Sequence, residues 1–340
     1  MKKGLALLTV LVLTMVMLIG CAAPAPQTSS SAPAESSVAP VVSSEAPASS
    51  ETGAVKLKIA FISTSNVDES MKWFLKNAQE EAAAQGVELV AFDANGDVQK
   101  QTNMVADAIS AKCDGIVMQC LDKKALIPAL QKAKEAGLII SLMGADVDDS
   151  GKQYRDFVCA PDDLAAGKLA GETVIKKFPD GAEGIMIMGG PGEDPSMKRE
   201  AGFEEAIKGS NIKLLDKQYT AGWDAAKAMA TMEDYITKYG DKIKFVYAHW
   251  DNGATTIVQA LEAKNMLDKV FILSVDGCRA GFDLVKSGKT AATMYQDMAF
   301  QAKECVKAVV AIKKGEKIEA IKVCPWQVIT KDNATFDPGW

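Results

Sequence analysis

The side chain with the most legible chemistry is the thiol of Cys21, because of what precedes it. Lys2 and Lys3 give a positive start, the run from Leu5 to Ile19 carries no charge, and small residues lead into the cysteine. That is a secretory signal with the pattern of a bacterial lipoprotein signal: cleavage before Cys21, then lipid on its sulfur. An uncleaved anchor helix is the other reading, but the run is short of the roughly 20 residues of a comfortable membrane span. Everything after Cys21 is then expected outside the cytoplasm and tied to the membrane, where no ATP, NADH or chromosome is at hand.

The other reactive residue types argue against catalysis and metals. Cys113, Cys120, Cys159, Cys278, Cys305 and Cys324 form no C-x-x-C pair, and His249 is the only histidine, so no metal site of Cys and His is expected. An even cysteine count in an exported chain permits disulfides; buried free thiols acting as small hydrophobes are the plainer reading. Gly189-Gly190-Pro191-Gly192 lacks the G-K-[ST] ending of a P-loop, and Glu193 and Asp194 after it would repel phosphate. No G-x-S-x-G is present. Asp68, Asp146, Asp251 and Asp276 could form an acid–base pair such as a glycosidase uses, but each has a simpler reading, and neither an enzyme nor a cofactor is expected. The formal charge is −6 and no dense Lys/Arg run occurs, which argues against a nucleic-acid partner. With only 6% aromatic residues, each of the five tryptophans asks for a reason.

Those residues need elements to position them. Residues 1–20 read as the signal. Residues 21–56 are nearly all Ala, Pro, Ser, Thr and Val, with no aromatic residue; too little surface can be buried there to repay ordering, so a disordered tether is expected. The body then alternates. Strands are expected over 57–62, 87–92, 115–118 and 138–142. A second series follows over 183–188, 212–219, 243–248, 270–275, 290–295 and 321–329. Helices separate them; Met71, Phe74, Leu75, Ala78 and Ala82 mark one apolar face. Strands apolar on both faces imply parallel sheets covered on both sides, and two series imply two doubly wound α/β lobes. Ligands bind beyond the C-terminal ends of such strands, so the residues just after each strand are expected to line a cleft.

Ordered along 57–335, several segments resemble type I periplasmic binding proteins, in the branch related to ribose-binding proteins. They are Ile59-Ala60-Phe61-Ile62 with Gln79-Glu80-Glu81-Ala82, Asp114-Gly115-Ile116-Val117-Met118, Arg199-Glu200-Ala201-Gly202-Phe203, Ala248-His249-Trp250-Asp251, Ser274-Val275-Asp276-Gly277, and Gly288-Lys289-Thr290 with Thr293-Met294-Tyr295-Gln296. The resemblance implies two lobes joined by a three-crossing hinge near 160, 296 and 325. One lobe would hold 57–159 with 297–325, the other 160–296 with 326–340. It also implies a monomer that closes on a small neutral polyhydroxyl ligand, a sugar or polyol, and delivers it to an ABC permease.

By the same resemblance Asp276 and Gln296 would hold ligand hydroxyls, the carboxylate through charge-assisted hydrogen bonds. Trp223 would offer an apolar plate to the C–H face of a sugar. Trp250, in place of the family's asparagine, would be a second plate or a wall. Gln119 and Trp73 stand where the family has polar and aromatic contacts. Asp251 reads as a helix N-cap or a ligand contact. The departures are equally specific. Met143-Gly144-Ala145-Asp146 replaces an Asp-Arg strand ending, so Asp146 would supply its carboxylate from a shifted place with no arginine beside it. Met197 stands where a ligand arginine is expected. Losing two forked donors points to a smaller or less polar polyhydroxyl compound than a pentose or hexose. Three rivals stay open on this fold: a sensing protein that presents its ligand to a chemoreceptor or sensor kinase, a binder of nucleosides or furanone signals, and a surface glycosidase. An intracellular repressor is disfavoured, because an export signal stands where its DNA-binding helices would be.

Overall fold

The computed structural model describes residues 56–66 and 69–340. The signal, Cys21, all of the tether but Lys56, and Asp68 lie outside the described residues. The first series runs β1 (Lys58–Ser63), α1 (Glu69–Ala84), β2 (Glu88–Asp93), α2 (Val98–Ser110), β3 (Gly115–Met118), α3 (Ile127–Glu135), β4 (Ile139–Met143) and β5 (Phe157–Pro161). The second runs α4 (Asp163–Lys177), β6 (Ala182–Met188), α5 (Asp194–Ile207), β7 (Ile212–Tyr219), α6 (Ala225–Tyr239), β8 (Phe245–Ala248), α7 (Asp251–Ala263), β9 (Phe271–Asp276), α8 (Arg279–Lys286) and β10 (Ala292–Gln296). The helix α9 (Met298–Lys313) and strands β11 (Ile321–Cys324) and β12 (Trp326–Ile329) follow.

Two six-stranded sheets result, in the orders β2-β1-β3-β4-β5-β11 and β7-β6-β8-β9-β10-β12. Both are parallel except for β12, which runs antiparallel to β10. Central strands such as β3, β4 and β8 are buried along their whole length, which is why they read as unbroken apolar runs. Helix α1 buries Met71, Phe74, Ala78 and Ala82, the stripe its spacing predicts. Aspartates open several helices: Asp97, Asp162, Asp224 and Asp297 each accept a first-turn backbone N–H, satisfying donors that have no partner inside the helix.

Local details go beyond or change the expected pattern. Helix α3 begins only at Ile127, because Asp122 Oδ1 accepts the N–H groups of Lys124 and Ala125 and holds a turn there. An unexpected strand, β5, follows a 3-10 turn at Asp149–Tyr154. The single strand expected over 321–329 is two strands in different sheets. Pro325 parts them, and a residue without an N–H cannot continue a ladder; β11 pairs with β5 and β12 with β10. The chain therefore changes sheets between β5 and α4, between β10 and α9 (which packs on β4 and α1), and at Pro325. All six described cysteines are free thiols.

Helices α4 and α5 touch backbone to backbone. A Cβ on Gly167 would lie 2.1 Å from the Arg199 carbonyl oxygen, and one on Gly202 would lie 2.1 Å from that of Leu164. Neither backbone can step aside alone, so any side chain must part the helices. Gly167→Ala is expected to cost about 1–3 kcal/mol as overpacking and to lower the thermal unfolding midpoint by several degrees. An unchanged midpoint by circular dichroism would show that the helices separate freely.

Candidate functional site

The C-terminal strand ends of both sheets face a cleft of about 860 Å³. Phe74 and Gln119 reach it from the first lobe, Arg199, Trp223 and Asp276 from the second, and Gln296 from the crossing that leads into α9. Across the mouth, Lys123 forms an ion pair with Asp194 at the start of α5. Burial resists the charge on Asp194, but hydrogen bonds and attraction from Lys123 and Lys198 hold its carboxyl below the usual range.

The second-lobe wall is built on Arg199. This side chain is 4% exposed; its Nε donates to Asp163 Oδ1 at 2.8 Å and its Nη1 to the His249 carbonyl at 2.5 Å. Its guanidinium lies between two rings, 5.8 Å from Trp223 and 5.6 Å from Trp326. Burial opposes the charge, but Asp163 and then Asp276 outweigh it, so the group stays cationic. His249 is driven the other way, by burial and then by Arg199, and its imidazole is neutral. It is fully enclosed against Tyr247, 4.9 Å away, and offers the cleft no base.

Trp223 is pinned on several sides. Its backbone adopts φ +52°, and its ring lies on Gly189, where a Cβ would come within 2.2 Å of it. Its indole N–H donates to Glu193 Oε2 at 2.7 Å. Trp250 meets it edge to face, with centroids 5.6 Å apart and planes at 87°. At 5% exposure, Trp250 is a wall behind Trp223 rather than a second plate.

Asp276 ends β9 with φ +116°, a conformation that costs a non-glycine residue about 1–3 kcal/mol and tends to persist at functional sites. Gly277 follows at φ +69°, packed so closely on Tyr295 that a Cβ would lie 2.5 Å from that ring. Gln296 donates its amide to Asp276 Oδ1 at 3.1 Å. Burial, with repulsion from Asp251, raises the Asp276 carboxyl above the usual range, although Arg199 and the Gln296 hydrogen bond pull against them.

The structure brings together Asp276, Gln296, Trp223, Trp250 and Gln119, and keeps three other candidates off the cleft wall. Asp251 does not cap α7; Trp250 holds the cap position without a side-chain bond. The Asp251 carboxylate is fully buried and accepts from Ser274 Oγ (2.5 Å), Thr293 Oγ1 (2.8 Å) and Cys278 N–H (2.9 Å). With those oxygens committed, it ties α7 to β9, β10 and the start of α8. Asp146 is held by both forks of Arg155, each at 2.8 Å; the arginine missing beside it arrives nine residues later. Trp73 packs on the first-lobe core and Lys76, and its neighbour Phe74 is the ring that reaches the cleft. Sequence reasoning treated Arg199 only as part of a motif, placed Arg279 among the strand-end positions without singling it out, and overlooked Trp340; all three line the cleft. The local signal for Arg199 was its place three residues before Gly202, the residue that lets α4 approach.

Residues 59–317 match a family model described as a periplasmic binding protein domain. The chain is 27% identical over 258 residues to the ribose import binding protein RbsB of Bacillus subtilis, covering 75% of this chain and 81% of that one. It is 29% identical over 254 residues to a xylitol-binding protein of Mycolicibacterium smegmatis, covering 74% and 71%. Among solved structures, an ABC transporter solute-binding protein from Mycobacterium smegmatis with bound glycerol superposes with a TM-score of 0.74 at 28% identity, covering 82% of this chain and 96% of that one. Another from Bacillus halodurans with bound myo-inositol gives 0.76 at 25%, covering 83% and 98%. With two wound lobes facing a cleft and a family match over most of its length, the chain belongs to the periplasmic binding protein domain family.

Proposed function

We propose that this protein is the extracytoplasmic solute-binding component of an ABC importer, and that it captures a small neutral polyhydroxyl compound, a sugar or polyol, between its lobes. The observation that carries the reading is the polar edge made by Asp276, Gln296 and Arg199 beside the pinned Trp223 ring. A carboxylate and an amide accept and donate to hydroxyls, while the indole covers a C–H face. Relatives named for ribose import and xylitol binding, and a related structure holding myo-inositol, support the ligand class. One arginine fork does reach the cleft, although Arg199 Nε and Nη1 are already committed within the protein; this favours a compact ligand with few demands for donors. The edge-to-face Trp223–Trp250 pair forms no parallel slot for a nucleobase.

Function would follow from closure. Hydroxyls bridge groups on both lobes, so the ligand is held best when the lobes meet, and it shifts the population toward that form. A permease can then read the closed shape. Lipid on Cys21 would keep the protein, acting as a monomer, beside the membrane that holds the permease.

A thermal-shift panel of pentoses, hexoses, polyols, nucleosides and amino acids tests the class. A ligand at 100 times its dissociation constant adds about 2.7 kcal/mol of stability. Stabilisation by a sugar or polyol is expected; stabilisation by nucleosides alone would replace the reading. Given a hit, Asp276→Ala is expected to weaken binding roughly 10- to 100-fold, about 1.5–3 kcal/mol, and unchanged affinity in the folded variant would remove Asp276 from the site. Trp223→Ala should lose about tenfold or more, with Trp223→Phe recovering most of it.

The pH dependence has a definite sign. The folded-state pKa of Asp276 is raised above its unfolded value. Its contribution to stability is therefore complete below about pH 4, the unfolded value, and is lost as pH rises through the folded value. Without ligand, Asp276→Asn is expected to gain thermal stability over the wild type as pH rises from 5 to 9. Ligand affinity of the wild type rises over the same range as the carboxylate ionises, while that of the variant stays flat. Parallel melting curves for both proteins would contradict this assignment.

A further inference from the structure

We infer that the segment Thr335–Trp340 is a strap anchored on the second lobe and landed on the first, and that Trp340 is a further wall of the ligand site that sets specificity. The part concerning ligand rests on the polyhydroxyl reading of the cleft; the strap itself does not.

The anchor is well defined. Asn333 organises a turn after β12: its Oδ1 accepts the Thr330 N–H at 2.7 Å and its amide donates to the Val328 carbonyl at 2.9 Å. Ala334 then buries itself against Phe282, Val285, Tyr295 and Ile329. Phe336 lies edge-on to Phe282 (5.0 Å) and Tyr295 (5.3 Å). Asp337 Oδ1 accepts from the Gly339 N–H at 3.0 Å and from Arg279 Nη2 at 3.3 Å. The Arg279 N–H, at the start of α8, donates to the Trp340 carbonyl at 2.5 Å. Every one of these partners outside the strap belongs to the second lobe.

The landing is on the first lobe. Gly339, at φ +92°, lies so flat on the Trp73 indole of α1 that a Cβ would stand 2.2 Å from it. The Trp340 ring packs on the first-lobe core and also faces the cleft. The Gly339–Trp73 and Trp340–core contacts of this landing are apolar, whereas hydrogen bonds secure the anchor. When the lobes part, the strap therefore stays with α8, and the Gly339–Trp340 contact with α1 is the one that separates. Among the described residues, the indole N–H groups of Trp73 and Trp340 are both buried without a hydrogen-bond partner. An unpaired buried donor is costly, and a hydroxyl oxygen in the cleft would relieve that of Trp340. Trp73, which the resemblance placed at the ligand, would thus act on it through the strap.

Two arms test this. In ligand-free protein, hydrogen exchange of α1 and small-angle scattering are compared for wild type, Trp340→Ala and Gly339→Ala. Faster exchange around Met71–Leu75 and a larger radius of gyration are expected in both variants, with recovery in Trp340→Phe. In the second arm, stopped-flow release of xylitol, D-ribose and myo-inositol is measured. Trp340→Ala is expected to raise the release rate about tenfold while leaving the association rate nearly unchanged. Unchanged exchange and scattering in both variants would overturn the strap. Unchanged release of a compound that binds the wild type would overturn the role of Trp340 in the site. If none of the three compounds binds the wild type, the ligand role falls with the polyhydroxyl reading, and the first arm still decides the strap.

Discussion

A positive charge removed from water must be matched on every side, and Arg199 is where this protein meets that demand. Its partners come from four places in the chain: Asp163 opening α4, the carbonyl of His249 after β8, Trp223 after β7, and Trp326 just past Pro325. Taking away one partner of a buried pair leaves an uncompensated charge, which costs about 3–5 kcal/mol. The guanidinium therefore does more than fill space. It binds the first turn of α4, the end of the second sheet and the third crossing into one arrangement. The Trp326 indole adds to this by donating to the Asp162 carbonyl at 2.7 Å, joining two crossings directly.

Around that charge the second lobe divides its carboxylates by environment. Asp163 is spent on Arg199. Asp251 is spent on two hydroxyls and a backbone N–H and cannot turn outward. Asp276 sits in strained backbone at a strand end, on the cleft, with Gln296 as its side-chain partner. Neighbouring positions of one residue type thus carry different roles, because hydrogen-bond supply differs at each.

Much of the fold was legible because it is written in local patterns. The stripe of α1 and the apolar runs of β3 and β4 are decided within a few residues. The six-stranded sheets follow from such runs. At the site, Asp276-Gly277 was legible as a strand-end turn, and the place of Trp223 at the cleft was drawn from resemblance. Asp146 misled because its partner, Arg155, lies beyond the stretch in which the eye seeks a pair, across a 3-10 turn. Asp251 misled because a carboxylate at a helix start reads as a cap, and only the closeness of β9 and β10 shows three donors aimed at it.

By itself, the sequence determined the alternation of strand and helix, the two series, and the places where the chain turns toward a cleft. Those features depend on hydrophobic periodicity and on turn residues at strand ends, which act over a few residues. Tertiary structure alone decided that Ile321–Cys324 and Trp326–Ile329 join opposite sheets, that Arg199 rests between two indoles, and that Gly339 and Trp340 reach α1. Each depends on groups far apart in sequence meeting only after both sheets have formed, and no local spacing records which of them will meet.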